Sequence, residues 1–102
     1  MNTSIYSYFK NLITSIFLKQ ELVKGIFMFS KELFGQRLKE IRKKNRETQS
    51  DLAAVLGNQK SQISEMEKGK HTTTLERFVL LCDHYKVSAD YLLGFSDDPS
   101  PH

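Results

Sequence analysis

Tryptophan is absent from the sequence, and cysteine occurs once, as Cys82. A lone thiol excludes an internal disulfide framework and a zinc site built from cysteines, and it is compatible with a reducing compartment. Long uncharged runs are missing too. Met1 to Phe9 is the longest near the apolar N-terminus, and Lys10 and Lys19 then enclose only eight residues. A spanning helix needs about 20, so no membrane span is expected. Neither the basic lead nor the small-residue cleavage site of a secretory signal stands out. Asn-Gly and Asp-Gly pairs are missing, and no segment alternates apolar and polar residues with period two, which argues against hairpins and sheets. There is no internal repeat.

The residues that carry catalysis are also scarce in combination. No HExxH, GxSxG or phosphate-cradling glycine loop is present. His71, His84 and His102 lack metal-ligand spacing, and Cys82 and His84, two apart, point to different sides of a helix. Cys82 reads as core filler. The chain is therefore read as no enzyme, with no catalytic residues, no metal and no cofactor.

What is present is charge with a direction. Hydrophobic residues make up 39% and charged residues 26% of the 102, a soluble globular composition rather than a disordered one. The formal charge of +3 is unevenly spread: residues 1–29 carry +2, residues 30–70 carry +4 and residues 71–102 carry −3. A basic middle attracts polyanions while the acidic end faces elsewhere.

Helical spacing runs through the whole chain. In residues 4–29, Ile5, Phe9, Leu12, Ile16, Val23 and Ile26 fall near one stripe, widened by Ile13 and Phe17. Ser30 then caps a helix running to about Asn45, with Phe34, Leu38 and Ile41 inward and Arg42, Lys43, Lys44 and Arg46 near its C-terminus, where cations suit the helix dipole. Thr48 and Asp51 make a near capping box for a short helix that buries Leu52, Ala53 and Leu56 and ends at Gly57. A third domain helix is expected over about residues 59–68. Thr74 caps a fourth, in which Leu75, Phe78, Val79 and Cys82 keep the helical stripe, and Ser88 caps a brief fifth that holds Leu92 and Leu93. The ending SDDPSPH is acidic and contains proline, hence frayed.

The third helix raises the functional question. On a helical wheel Gln59, Ile63, Met66 and Glu67 share one side, while Ser61, Ser64, Glu65 and Lys68 lie opposite, flanked by Lys60 and Gln62. A capped helix precedes it across a tight turn at Gly57, which is helix-turn-helix grammar. The major groove of B-DNA, about 12 Å wide, admits one such helix. Gln49 sits in the first turn of the preceding helix, where side chain and free N–H groups can grip a phosphate.

FGQRLKEIRKKNRETQSDLAAVLGNQKSQISEMEKGK followed by TLERFVLLCDHYKVSADYLLG resembles the Cro/C1-type (Xre-like) helix-turn-helix family over about residues 32–95. Its most specific marks are Thr48-Gln49, Leu52-Ala53, Gly57, Ile63-Ser64, Glu67, Gly69-Lys70, Val87-Ser88 and Tyr91-Leu92-Leu93-Gly94. The resemblance implies a five-helix lambda-repressor-like domain over residues 30–95; with the extra amphipathic helix that helical spacing places within residues 1–29, and a flexible tail at 96–102, the protein is expected to be all-α. The resemblance also implies a cytoplasmic regulator of transcription that binds a double-stranded DNA operator as a homodimer, most simply a repressor of the phage or mobile-element type. By position, base contacts fall to Lys60, Ser61, Gln62 and Glu65, and phosphate contacts to Gln49, Arg46, Lys68 and Lys70. Glu67 lies on the packed side of its helix, where an unpaired carboxylate is costly, and the resemblance implies that Arg42, near the end of the first domain helix, pairs with it in a structural salt bridge. Dimerisation is expected at Leu92, Leu93 and Phe95, at the N-terminal stripe, or at both.

Two departures stand out. Asn58 and Gln59 follow the turn glycine, where the family usually has an apolar residue and then serine or threonine, so Asn58 could cap the third helix and move its start. Residues 1–28 lie outside the resemblance altogether. Their apolar stripe leaves three readings: packing on this domain or a dimer mate, docking to another protein or peptide, or lying on a membrane surface. The rival to the repressor reading is a protein-interaction regulator on the same scaffold, antitoxin-like or controlled by a partner at the N-terminal helix. No second ligand-binding or self-cleaving domain is expected after the YLLGFSDDP ending.

Overall fold

The Ser30 hydroxyl starts the first helix. In the computed structural model, which describes residues 29–101, Ser30 Oγ accepts the Leu33 N–H at 3.0 Å and caps α1 (Lys31–Lys44). The helix closes where Asn45 Nδ2 donates to the Ile41 carbonyl at 2.8 Å and the Arg46 N–H donates to the Lys43 carbonyl at 2.9 Å. Thr48 and Asp51 form the reciprocal cap of α2 (Gln49–Leu56): the Asp51 N–H donates to Thr48 Oγ1 at 3.0 Å, and the Thr48 N–H to Asp51 Oδ2 at 2.8 Å. These bonds from Thr48 hold the Asp51 carboxyl below its ordinary pKa. Gly57, at φ 67°, supplies the left-handed turn into α3 (Lys60–Glu67). Thr74 caps α4 (Leu75–Tyr85) and Ser88 caps α5 (Ala89–Leu93). Among the described residues the fold is these five helices, with no strand.

Every helix contributes to one core. Phe34 and Leu38 from α1, Leu52 and Leu56 from α2, Ile63 and Met66 from α3, Leu81 from α4 and Leu92 from α5 are all buried, with Val87 from the α4–α5 turn. Each such side chain stabilises the fold by about 1.5–3 kcal/mol relative to exposure. Gly35 lets α1 approach the end of α3, because a Cβ there would stand 2.2 Å from the Met66 carbonyl oxygen and 2.9 Å from that of Glu67.

Three sequence expectations need correction. The inward face of α4 is Phe78, Leu81, Cys82 and Tyr85, whereas Leu75 is 75% and Val79 59% exposed. The helix is apolar on two sides, and only the side carrying Leu81 meets the core. Leu92, expected at a dimer contact, is fully buried in its own domain, so of that trio only Leu93 and Phe95 reach the surface. The start of the expected tail is tied down: Arg37 donates to the Ser96 carbonyl and to Asp97 Oδ1, both at 2.8 Å, and the Ser88 N–H donates to the Pro99 carbonyl at 2.9 Å. Arg37 also lies 4.1 Å from the centre of the Tyr91 ring, joining α1 to α5. The expected N-terminal helix lies outside the described residues.

Candidate nucleic-acid interface

The α2–turn–α3 unit is held from both sides. Behind α3, Ile63 and Met66 are buried between α1 and α2. At the turn, Arg77 of α4 donates from Nε to the Leu56 carbonyl at 2.9 Å and from Nη2 to the Gly57 carbonyl at 3.3 Å, satisfying carbonyls that the end of α2 leaves unpaired. The face of α3 turned away from the core carries Lys60, Ser61 and Gln62, all exposed, and the partly exposed Ser64 and Glu65; Lys68 and Lys70 follow, both exposed.

α3 begins at Lys60, with Gln59 rather than Asn58 at the capping position. The Gln59 N–H donates to Gln62 Oε1 at 2.8 Å. One end of the Gln62 amide is thus occupied by the helix start, and its Nε2 donors remain for a partner. Glu65 lies 3.9 Å from Lys70 Nζ, a loose surface pair that a nucleic acid could open at small cost. Arg46 is exposed in the α1–α2 turn.

Gln49 is placed differently from the simple phosphate role assigned to it. Its Nε2 donates to Glu67 Oε1 at 3.0 Å, which commits one of its two amide N–H groups inward and leaves the other. Glu67 itself takes a fork from Arg42: Nε to Oε2 at 2.6 Å and Nη2 to Oε1 at 2.9 Å. Both partners are buried, and Arg42 Nη1 spends a further bond on the Glu47 carbonyl at 2.7 Å. The hydrogen bond to Glu67 outweighs desolvation and raises the Arg42 pKa, so the guanidinium stays charged. The pair therefore locks α1, the start of α2 and the end of α3 to one another. Glu47 extends the lock to α4, accepting from the Tyr85 hydroxyl at 2.6 Å and meeting His84 Nε2 at 2.8 Å.

Sequence reasoning missed part of this surface. Ser61, Gln62 and Glu65 share a concavity with Asn58, the loop His71 to Thr74, and Arg77. The run of three threonines between α3 and α4 was the available signal, a set of hydroxyl donors at the edge of the candidate reading helix. Asn58 Oδ1 has no hydrogen-bond partner among the described residues. Among those residues no group of three or more His, Cys, Asp or Glu is placed to hold a metal, and no helix is long and apolar enough to cross a membrane.

Comparison with known proteins agrees with this geometry. The family described as Helix-turn-helix matches residues 38–92. The protein named Uncharacterized HTH-type transcriptional regulator YobD, from Bacillus subtilis (strain 168), is 38% identical over 69 residues, or 68% of this chain. The chain spans only 62% of that relative's length. The P22 c2 repressor in complex with a synthetic operator superposes with a TM-score of 0.58 at 28% identity, covering 62% of this chain and 96% of that one. The restriction-modification controller protein C.AhdI from Aeromonas hydrophila gives a TM-score of 0.55 at 27% identity, covering 61% and 94%.

Proposed function

Because the chain belongs to the Cro/C1-type helix-turn-helix family of transcriptional regulators, we propose that it reads double-stranded operator DNA with α3 and represses transcription by occluding promoter DNA as a homodimer. The observation that carries this reading is the division of α3. Ile63, Met66 and Glu67 fix the helix from behind, and a row of hydrogen-bonding side chains is presented on a rigid base. Lys60 suits guanine O6/N7, Glu65 suits cytosine N4, and Ser61 suits either kind of partner. In this reading Lys68, Lys70, Arg46 and the remaining Gln49 N–H grip phosphates and set register without reading sequence. The solved repressor that shares this fold holds a synthetic operator, which supports the same partner here. Two copies would span half-sites about 34–36 Å apart, with the accessible Leu93 and Phe95 available for dimer contact. The cytoplasm is the compartment such a role requires.

The test is a titration of the purified chain against DNA from its own promoter region and against unrelated DNA, at two salt concentrations. A preference for one near-palindromic site, weakening with salt, is expected; equal binding to all DNA at both salts would remove the operator-reading role. Gln62→Ala is expected to cost about 1–3 kcal/mol on the cognate site and relax preference at one base pair. Because Gln62 Oε1 also receives the Gln59 N–H, the measurement should include thermal unfolding. An affinity loss shared equally by all sequences would assign Gln62 to the helix start alone. Lys70→Ala is expected to weaken binding to every sequence and to lower the salt slope by about one unit. An unchanged slope would take Lys70 off the phosphate surface.

A further inference from the structure

α4 turns an apolar face outward that nothing among the described residues covers. Leu75 and Val79, one turn apart, stand at 75% and 59% exposure. Beside them lies a groove lined by Phe29, Phe34, Leu75, Phe78 and Leu93, with Thr72 and Thr73 at its edge. Thr73 Oγ1, shielded from solvent, has no hydrogen-bond partner among the described residues. A contiguous exposed apolar patch of this kind marks a surface that receives another segment.

We propose that this groove is covered in cis by residues 4–28 of the same chain, laid along α4 through the stripe of Ile5, Phe9, Leu12, Ile16, Val23 and Ile26. Connectivity carries the assignment. The chain enters the described domain at Phe29, whose ring is itself a wall of the groove and lies 5.9 Å from that of Phe34. The preceding residues are therefore tethered at the groove's rim, and a short tether holds a segment at about millimolar effective concentration. A second copy at micromolar concentration competes poorly against that. Charge is compatible: residues 1–29 carry +2, while Asp83 and Asp97 of the acidic end are taken up by Lys86 and Arg37. Glu76, next to Leu75, is exposed and has no ion-pair partner among the described residues. The contact takes Leu93 from the dimer surface and leaves Phe95 on it, and its edge at Thr72 and Thr73 is shared with the concavity beside α3.

The experiment uses the full chain and two readouts. Amide hydrogen exchange is compared between the unaltered protein, Val79→Asp and Leu75→Asp, both substitutions lying at exposed positions that the core does not use. Exchange across residues 5–26 is expected to accelerate roughly tenfold or more in either variant, from loss of buried apolar contact, while α1–α5 keep their protection. In parallel, a photoreactive p-benzoylphenylalanine replaces Val79 in an equal mixture of nitrogen-14 and nitrogen-15 protein. Cross-links from position 79 to residues 5–26 within chains of one isotope support the proposal. Mixed-isotope cross-links would give the groove to a second copy and overturn it. Absence of any cross-link to residues 5–26, with exchange there equally fast in all three proteins, would overturn it as well and leave the groove to a different protein.

Discussion

Glu67→Ala is expected to destabilise the domain by about 3–5 kcal/mol, the usual cost of breaking a buried ion pair by removing one partner. The structure gives the reason for the size. The substitution leaves Arg42, a residue only 6% exposed in the folded domain, with two of its guanidinium's three hydrogen bonds gone. Arginine cannot relieve the burial by losing a proton, because its pKa is too high. It also frees the Gln49 amide, which rests on Glu67 Oε1. Urea unfolding measures the loss, and a midpoint equal to that of the unaltered protein would falsify the claim that the pair holds the helices together. The double replacement Arg42→Met with Glu67→Leu separates two causes. If the cost is mainly the orphaned charge, the double variant should recover most of the stability, since well-packed apolar replacements of buried ion pairs are often neutral or stabilising. DNA affinity should not recover with it, because Gln49 still lacks its anchor at the start of α2.

Gly35→Ala is the second substitution with a large expected effect. Alanine in a helix interior normally stabilises by about 1 kcal/mol over glycine. Here its methyl group would meet the carbonyl oxygens of Met66 and Glu67 at 2.2 and 2.9 Å. Both obstacles are backbone, so no side chain can rotate away and α1 must part from the end of α3. Overpacking costs about 1–3 kcal/mol; with no escape the upper end applies, and a net loss of about 2 kcal/mol is expected. The separation also tilts α3 against α1, so affinity for the cognate operator should fall beyond what the unfolded fraction explains. Gly57→Ala is the control: nothing lies within 4 Å of its would-be Cβ, and only its φ of 67° opposes the change, at about 1–2 kcal/mol. A Gly35→Ala protein as stable as the unaltered one would mean that the helices approach less closely than the structure places them.

Glu67 and Gly35 also show how differently the two kinds of residue could be read in advance. Glu67 was visible as an acid on the packed side of an otherwise polar helix, and the family resemblance supplied Arg42 as its partner. Gly35 sits in the middle of a helical stripe with no turn or cap near it, and its sequence neighbours carry no trace of the backbone that approaches from α3. The same limit explains α4. LERFVLLCDHY places apolar residues on two faces, and periodicity identifies a helix without saying which face the core will claim. Leu92 failed for the same reason: a leucine in an ending like YLLGF can serve its own core or a partner's.

What the sequence determined by itself is therefore local. Ser30, Thr48, Thr74 and Ser88 begin helices because their hydroxyls accept N–H groups within the next turn, and Gly57 ends α2 because a left-handed residue is needed there. The outward polar row of α3 was readable on the same grounds, since its period of 3.6 residues and its two buried anchors lie within one short segment. Only the tertiary structure decided that Leu81 rather than Leu75 and Val79 faces inward, that Gln49 rests on Glu67, that Arg37 and Arg77 hold the ends of other helices, and that Leu92 is unavailable to a partner. Each of these depends on atoms brought close from well outside the helix concerned, 18 residues away for Gln49 and Glu67 and 54 for Arg37 and the Tyr91 carbonyl. Distance along the chain carries no record of such an approach, whereas a cap or a helical stripe is complete within a few residues of where it begins.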